Sequence, residues 1–280
     1  MPFMLLAVLS HAQRSDNYKP TNNPNVRLTR TNMPIVFINV DGQMIQREDR
    51  VTARVKIIDN GEGQYNYGDT IAHPDQKVDY EGYVGLKYRG NSSFNSSEKK
   101  PYSFRPLDKP LEEGGKKQKV KIMGMGKDND WALLAPFSDK SMIRDVLTFE
   151  LARPYFDYVP HAKFCELVLD GTYYGVFIMS ERVGKGKNRL NLNDPGEDDG
   201  DLTGDFHVEI DRDDEPQYYR SKYHPVDGSG NELSSSWITY QYKSPEYDDF
   251  AELPAGTEAA LHKAIDDMEA SFRTSYYSDP

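Results

Sequence analysis

Cysteine is nearly absent from this chain, since Cys165 is the only one among 280 residues. A single thiol excludes an internal disulfide and any metal site built from several cysteines. Cys165 stands in an apolar run, residues 164–169, that is typical of a strand. We therefore expect a small buried residue there and not a catalytic thiol.

Positively charged residues are outnumbered by negatively charged ones. The chain has 34 lysines and arginines and 45 aspartates and glutamates, so its net charge is -11. Such a surface disfavours nucleic acid as a partner, since binding a phosphate backbone needs clustered Lys and Arg. A small phosphate pocket with local positive charge remains compatible with it. The 19 tyrosines and 12 phenylalanines supply a core and argue against a disordered chain.

Long apolar runs are missing, and no segment is long enough to form a membrane helix. The short apolar run at residues 3–13 ends in small residues near Ala12 and is typical of a secretory signal peptide. We expect residues 1–13 to be a signal-peptide remnant, with a buried strand as the alternative. Residues 14–33 are rich in Asn, Thr and Pro and are predicted to be a linker.

Strand patterns dominate the first two thirds of the chain. Strands are predicted over residues 34–40, 52–59, 83–90, 163–170, 174–181, 204–211 and 237–242. Helices are predicted over residues 139–155, where Ser138 or Asp139 can cap the first amides, and over residues 257–272. This order favours an α+β fold with mostly antiparallel strands and a packed helix over alternating βαβ units.

Two polar stretches lie close together in the predicted hairpin of residues 83–106. A strand ends at Arg89 and enters a glycine-containing loop whose Asn91 and Ser92 can present amides and hydroxyls to an anion. Lys100 opens the returning strand, so Arg89, Lys100 and the loop could form a phosphate-sized pocket. The alternatives are a plain hairpin loop and a solvated lysine pair on an edge strand.

Two further stretches carry charges that need partners. Lys140 and Arg144 are four residues apart at the predicted helix start, where positive charge opposes the helix dipole. Their partner is either Asp139 or a bound phosphate. Glu181 ends the second predicted hairpin and is either a ligand contact or a surface salt bridge.

An acidic cluster follows the strand at residues 204–211. Glu209 and Asp211 point to the same side of that strand, and their oxygens suit Mg²⁺ or Ca²⁺. A solvated acidic turn is the alternative, so Asp211 is a metal-ligand candidate.

Taken in order, these stretches resemble the CotH (spore coat protein H) kinase family. The matching segments are residues 89–93, 99–102, 131–135, 139–144, 151–153 and 170–181. Because several motifs match in sequence order, the resemblance is specific.

The resemblance implies an atypical protein-kinase-like fold that binds ATP with Mg²⁺ or another divalent cation and phosphorylates Ser or Thr of a protein substrate. By analogy with kinases, a β-rich lobe would hold the triphosphate. The residues assigned to it are Arg89, Asn91, Ser92, Lys100, Lys140, Arg144 and, at the lobe junction, Glu181. The family also implies a bacterial protein that is secreted or on the cell surface, including the spore coat.

One departure from the family lies after Asp211. The family's catalytic aspartate and its Trp-Asp metal motif are not found there, and Trp237 is followed by Ile238. We therefore expect residues 34–280 to be the nucleotide-binding part of the kinase domain, truncated, with an incomplete C-lobe, no catalytic residue and little turnover alone. The alternatives are a non-catalytic surface or coat scaffold and a carbohydrate-active enzyme, which would need a carboxylate pair that nothing fixes here.

Overall fold

The computed structural model of the protein describes residues 26–193, 204–211, 218–245 and 253–275. The predicted signal-peptide remnant lies outside these residues, as does most of the predicted linker. The chain divides into two compact units after Arg182. We call them the barrel unit and the C-terminal unit; a boundary at this position was not predicted from the sequence.

The barrel unit contains a closed seven-stranded barrel with strand order β2-β3-β5-β6-β7-β9-β8. All of its neighbouring strands are antiparallel except β2 and β8, whose parallel pairing closes it. The barrel strands are β2 (Ile35–Asn39), β3 (Val51–Ile58), β5 (Val78–Tyr88), β6 (Tyr102–Leu107), β7 (Trp131–Leu134), β8 (Ala162–Leu169) and β9 (Thr172–Glu181). A separate ribbon pairs β1 (Arg30–Thr31) with β4 (Asn66–Tyr67).

Period-two alternation explains why these segments are strands. Residues that point inward fill the barrel with a core in which Phe104, Trp131 and Phe177 are fully buried. Cys165 belongs to the same core, as expected, and its burial raises the pKa of the thiol to about 12. The two-residue turn between β8 and β9 has positive φ at Asp170 and Gly171, which is the conformation that a tight hairpin of this twist requires.

The described residues of the barrel unit form short helices. They are α1 (Ser92–Asn95), α2 (Arg144–Ala152) and two 3₁₀ turns, Leu111–Glu113 and Arg153–Tyr155. An α+β class with mainly antiparallel strands is therefore confirmed. The closed barrel was not predicted.

The predicted helix over residues 139–155 is wrong at its start. Met142 has a φ of 60°, so a right-handed helix cannot run through it, and α2 begins at Arg144. The N-cap residue is Ile143, but an Asp139 carboxylate oxygen still accepts a hydrogen bond from the first helical amide, that of Arg144, at 2.9 Å.

The apolar face of α2 is also not packed as predicted. No residue of this helix is buried, and the exposed fractions of Ile143, Leu147 and Leu151 are 48%, 49% and 64%. These three residues follow the four-residue spacing of one helical face. The helix therefore presents an apolar stripe, which Tyr155 extends in the following turn.

The described residues of the C-terminal unit form a small sheet and a helix. Its strands are β10 (His207–Ile210), β11 (Tyr218–Arg220) and β12 (Thr239–Ser244), in the order β10-β12-β11, all antiparallel. The predicted helix over residues 257–272 is confirmed as α3 (Thr257–Ser275). Leu261 and Ile265 of this helix pack with Tyr240 and Tyr242. Among the residues that the structure describes, no helix has the length and apolar character needed to cross a membrane.

The barrel core gives the first prediction. We expect Phe104→Ala to lower the free energy of unfolding by about 3–5 kcal/mol, because it removes a fully buried ring and leaves a cavity. Phe156→Ala is the matched control, since that ring is 65% exposed. Urea unfolding measures both variants, and equal midpoints for the two would contradict the assignment of Phe104 to the core.

Candidate functional site

The β5–β6 hairpin brings together two of the residues predicted for phosphate binding. Tyr88 pairs with Tyr102 in register, and the Arg89 amide donates to the Pro101 carbonyl at 3.0 Å. Arg89 and Lys100 therefore lie on the two sides of the same hairpin end. The predicted loop folds as the single helical turn α1.

Phe94 in α1 holds the ammonium group of Lys100. The Nζ atom of Lys100 donates to the Phe94 carbonyl at 2.7 Å and lies 4.4 Å from the ring centroid. Arg47 lies over the same ring at 4.8 Å and donates to the Gly90 carbonyl at 3.0 Å. Lys100 thus contacts the loop as predicted. Its ammonium group, however, binds the loop backbone and the Phe94 ring and does not point away from them.

Asn91 and Ser92 also contribute to the fold of the loop. The Asn91 carbonyl accepts from the Asn95 amide at 3.0 Å, and the Asn91 side chain accepts from that of Asn95 at 3.3 Å. The Ser92 carbonyl accepts from Ser96 at 2.9 Å. These bonds are those of one helical turn, so both residues stabilise the turn that follows Arg89.

Arg89 is in a different position from Lys100. It is half-buried, and burial together with the nearby positive charge of Arg182 lowers the pKa of its guanidinium group. No carboxylate of the described residues forms an ion pair with Arg89. A partly desolvated cation beside another cation is costly, and an anionic ligand would offset that cost.

Lys140 and Arg144 do not share a helix face, which corrects the prediction. Lys140 is exposed in the segment before α2, whereas Arg144 is the first residue of the helix. The Arg144 Nε atom lies 3.5 Å from a carboxylate oxygen of Asp139. Hydrogen bonds from the Ser141 hydroxyl and the Arg144 amide lower the pKa of Asp139. Asp139 is therefore the partner of Arg144, one of the two alternatives that the sequence left open.

Glu181 is a buried carboxylate at the end of β9, not a surface ion. Only 1% of its side chain is exposed. It accepts hydrogen bonds from the Gly126 amide at 3.2 Å, the His161 amide at 3.0 Å and the Tyr158 hydroxyl at 3.3 Å. These contacts tie two loops to the barrel end. No sequence signal identified these partners, because they lie 20 to 55 residues away along the chain.

Asp211 lies in the C-terminal unit, directly after β10. It is exposed, and its amide donates to the Thr239 carbonyl at 3.1 Å. Its predicted companion Glu209 lies 3.9 Å from the Lys243 ammonium group and 3.6 Å from the His207 ring, whose pKa is lowered by burial. The described parts of the chain hold no group of three His, Cys, Asp or Glu side chains suited to a metal ion. A metal site at Asp211 stays a prediction.

A comparison with protein families gives one match that includes these residues. The family model described as CotH kinase protein matches residues 86–279. The chain belongs to the CotH kinase family. This CotH match covers the hairpin end, α2, Glu181 and the C-terminal unit, and it confirms the resemblance inferred from the ordered motifs. A search of curated proteins finds no match.

The buried position of Glu181 generates a second prediction. Glu181→Gln should lower the free energy of unfolding by about 1–3 kcal/mol, because the amide group opposes backbone donors that the carboxylate now satisfies. Glu113→Gln, an exposed change in the turn before β7, is the control and should have little effect. Chemical denaturation of both variants tests this, and indistinguishable curves would show that the Glu181 contacts do not stabilise the barrel.

Proposed function

We propose that this CotH kinase family protein binds ATP together with Mg²⁺ or another divalent cation, as the nucleotide-binding part of a kinase that phosphorylates Ser or Thr of a protein substrate. The observation that carries this proposal is Arg89. It is a half-buried cation without a described carboxylate partner, at the end of the family-matched hairpin, in a chain of net charge -11.

The chemistry of phosphoryl transfer explains the choice. Catalysis of this reaction consists mostly of positioning the phosphates and neutralising their charge. A guanidinium group offers two parallel N–H donors that match two phosphate oxygens. Arg89 would make this contact, whereas Lys100 would act as a positioning residue through Phe94. A divalent cation would neutralise further phosphate charge. Asp211 stays a metal-ligand candidate of the C-terminal unit by itself.

The proposed location follows from the family and the N-terminal sequence. CotH proteins take their name from the spore coat, and residues 1–13 have the pattern of a signal-peptide remnant. We therefore propose a secreted or cell-surface protein of bacterial origin.

A second candidate function is a non-catalytic scaffold that binds other proteins. The exposed stripe of Ile143, Leu147 and Leu151 favours it, because exposed apolar patches often mark interaction sites. ATP binding to this chain distinguishes the two functions, because little turnover is expected from the chain alone. A scaffold would bind no ATP, whereas the nucleotide-binding part of a kinase would.

The third prediction tests nucleotide binding directly. Arg89→Ala should weaken ATP binding about tenfold or more, as expected for losing hydrogen bonds to a charged group. Lys100→Ala should have a smaller effect, because its ammonium group acts through the loop. Lys109→Ala, an exposed lysine beyond β6, is the control. Isothermal titration calorimetry gives the affinities, and ATP binding that survives both Arg89→Ala and Lys100→Ala unchanged would refute the proposal.

A further inference from the structure

Four arginines and one aspartate lie on the outer face of the barrel, and we call this group the arginine face. Its members are Arg50, Arg89, Arg105, Arg182 and Asp130. They come from positions at or next to the ends of strands β3, β5, β7 and β9 and from the middle of β6. Strand register explains why Arg105, Asp130 and Arg182 are neighbours, because Arg105 pairs with Gly85, and Trp131 pairs with both Phe104 and Glu181. Asp130 therefore lies between Arg105 and Arg182. Arg89 lies four residues beyond Gly85, just after β5 and opposite Pro101, and is linked to the group by the nearby charge of Arg182.

Arg50 lies flat across the sheet and is held there by polar contacts. Its guanidinium group donates to the Gly85 carbonyl at 2.8 Å and to the Ser103 hydroxyl at 2.9 Å. Only 13% of its side chain is exposed. Gly85 makes this position available, because a Cβ atom there would lie 3.0 Å from the Arg50 Cδ atom. The guanidinium of Arg50 is thus fixed in advance of any ligand.

Asp130 neutralises only part of this positive charge. It forms a two-pronged ion pair with Arg105 at 2.8 and 3.1 Å and lies 3.9 Å from Arg50. Neither Arg89 nor the exposed Arg182 has an ion pair with a carboxylate of the described residues. Burial, followed by the charges of Arg105 and Arg182, lowers the pKa of Arg50 to about 10. Among the described residues, the arginine face is therefore a set of mutually repelling cations with one acid between them.

We propose that the arginine face binds the phosphate groups of a nucleoside di- or triphosphate, with Arg50 and Arg182 as phosphate ligands beside Arg89. This assignment rests on the proposed function and extends it to residues that no motif identified. Arg50 lies outside the family match, which begins at residue 86, so family membership does not supply it.

A polyphosphate explains features that a structural role does not. Holding several guanidinium groups together costs free energy that one carboxylate cannot offset. A di- or triphosphate carries several charges over adjacent groups, and arginine forks bind phosphate oxygens in pairs. A long polyanion such as nucleic acid fits less well, because the rest of a chain of net charge -11 would repel it.

The experiment compares two arginine-face variants with a matched control in the full chain. Arg182→Gln removes an exposed charge, and Arg50→Gln removes the buried one. Arg54→Gln is the control, because this barrel arginine has a 60% exposed side chain and already pairs with Asp41. Each variant changes the net charge equally. ATP, ADP, pyrophosphate and adenosine are titrated by calorimetry, with thermal melts to confirm folding.

Both arginine-face variants should bind ATP and pyrophosphate about tenfold or more weakly than the unmodified chain, consistent with lost charge-assisted hydrogen bonds. Arg54→Gln should bind them normally, and adenosine affinity should not depend on any of the three. If Arg50→Gln unfolds the barrel, Arg182→Gln alone decides the question.

The outcomes separate this inference from the proposed function. ATP binding that is equal in the unmodified chain, Arg182→Gln and Arg54→Gln overturns the arginine face and leaves the proposed function standing. Pyrophosphate binding that needs Arg182, without any ATP binding, supports the arginine face and overturns the nucleotide assignment. Equal losses in Arg182→Gln and Arg54→Gln show a non-specific charge effect and overturn the site. Binding of neither ligand to the unmodified chain overturns both.

Discussion

Parallel pairing between β2 and β8 closes the barrel, and the sites described above depend on that closure. Residues 35–38 of β2 pair with residues 166–169 of β8, which joins the first barrel strand to the last pair along the chain. Once the sheet is closed, each strand has one face in the core and one outside. Phe104 and Trp131 therefore point into the core, while their chain neighbours Arg105 and Asp130 lie outside.

The barrel thereby separates two kinds of ionic group that look alike in the sequence. Glu181 is held by backbone amides, the Tyr158 hydroxyl and the His161 ring, and its carboxylate fastens loops to the barrel end. Arg89 and Arg182 lie on the other side of the sheet, close to each other and without an acidic partner among the described residues. The Glu181 carboxylate has its hydrogen-bond partners within the protein. Binding of an anion would instead offset the repulsion between the two arginines. Burial alone therefore does not identify a ligand site; the balance of charges around the buried group does.

Local patterns predicted much of this fold, and long-range geometry explains what they missed. Alternation and turn dipeptides predicted β2, β3, β8 and β9, because each depends on neighbouring residues only. The ordered motifs predicted the family and placed Arg89 beside Lys100. The helix start was wrong because the backbone at Met142 is left-handed, which its side chain does not signal. Arg50 was missed because its position depends on the pairing of β3 with β5, which lets its side chain cross Gly85.

The contrast between the arginine face and the rest of the molecule has a kinetic consequence. At a distance, an anion meets a chain of net charge -11 and is repelled; within about 8 Å, the screening length at physiological salt, it meets the local arginines. Added salt would weaken the final contacts but also reduce the repulsion on approach. Association and dissociation rates for a small polyanion should therefore both rise with ionic strength, unlike the slowed capture that is usual for a site on a basic protein.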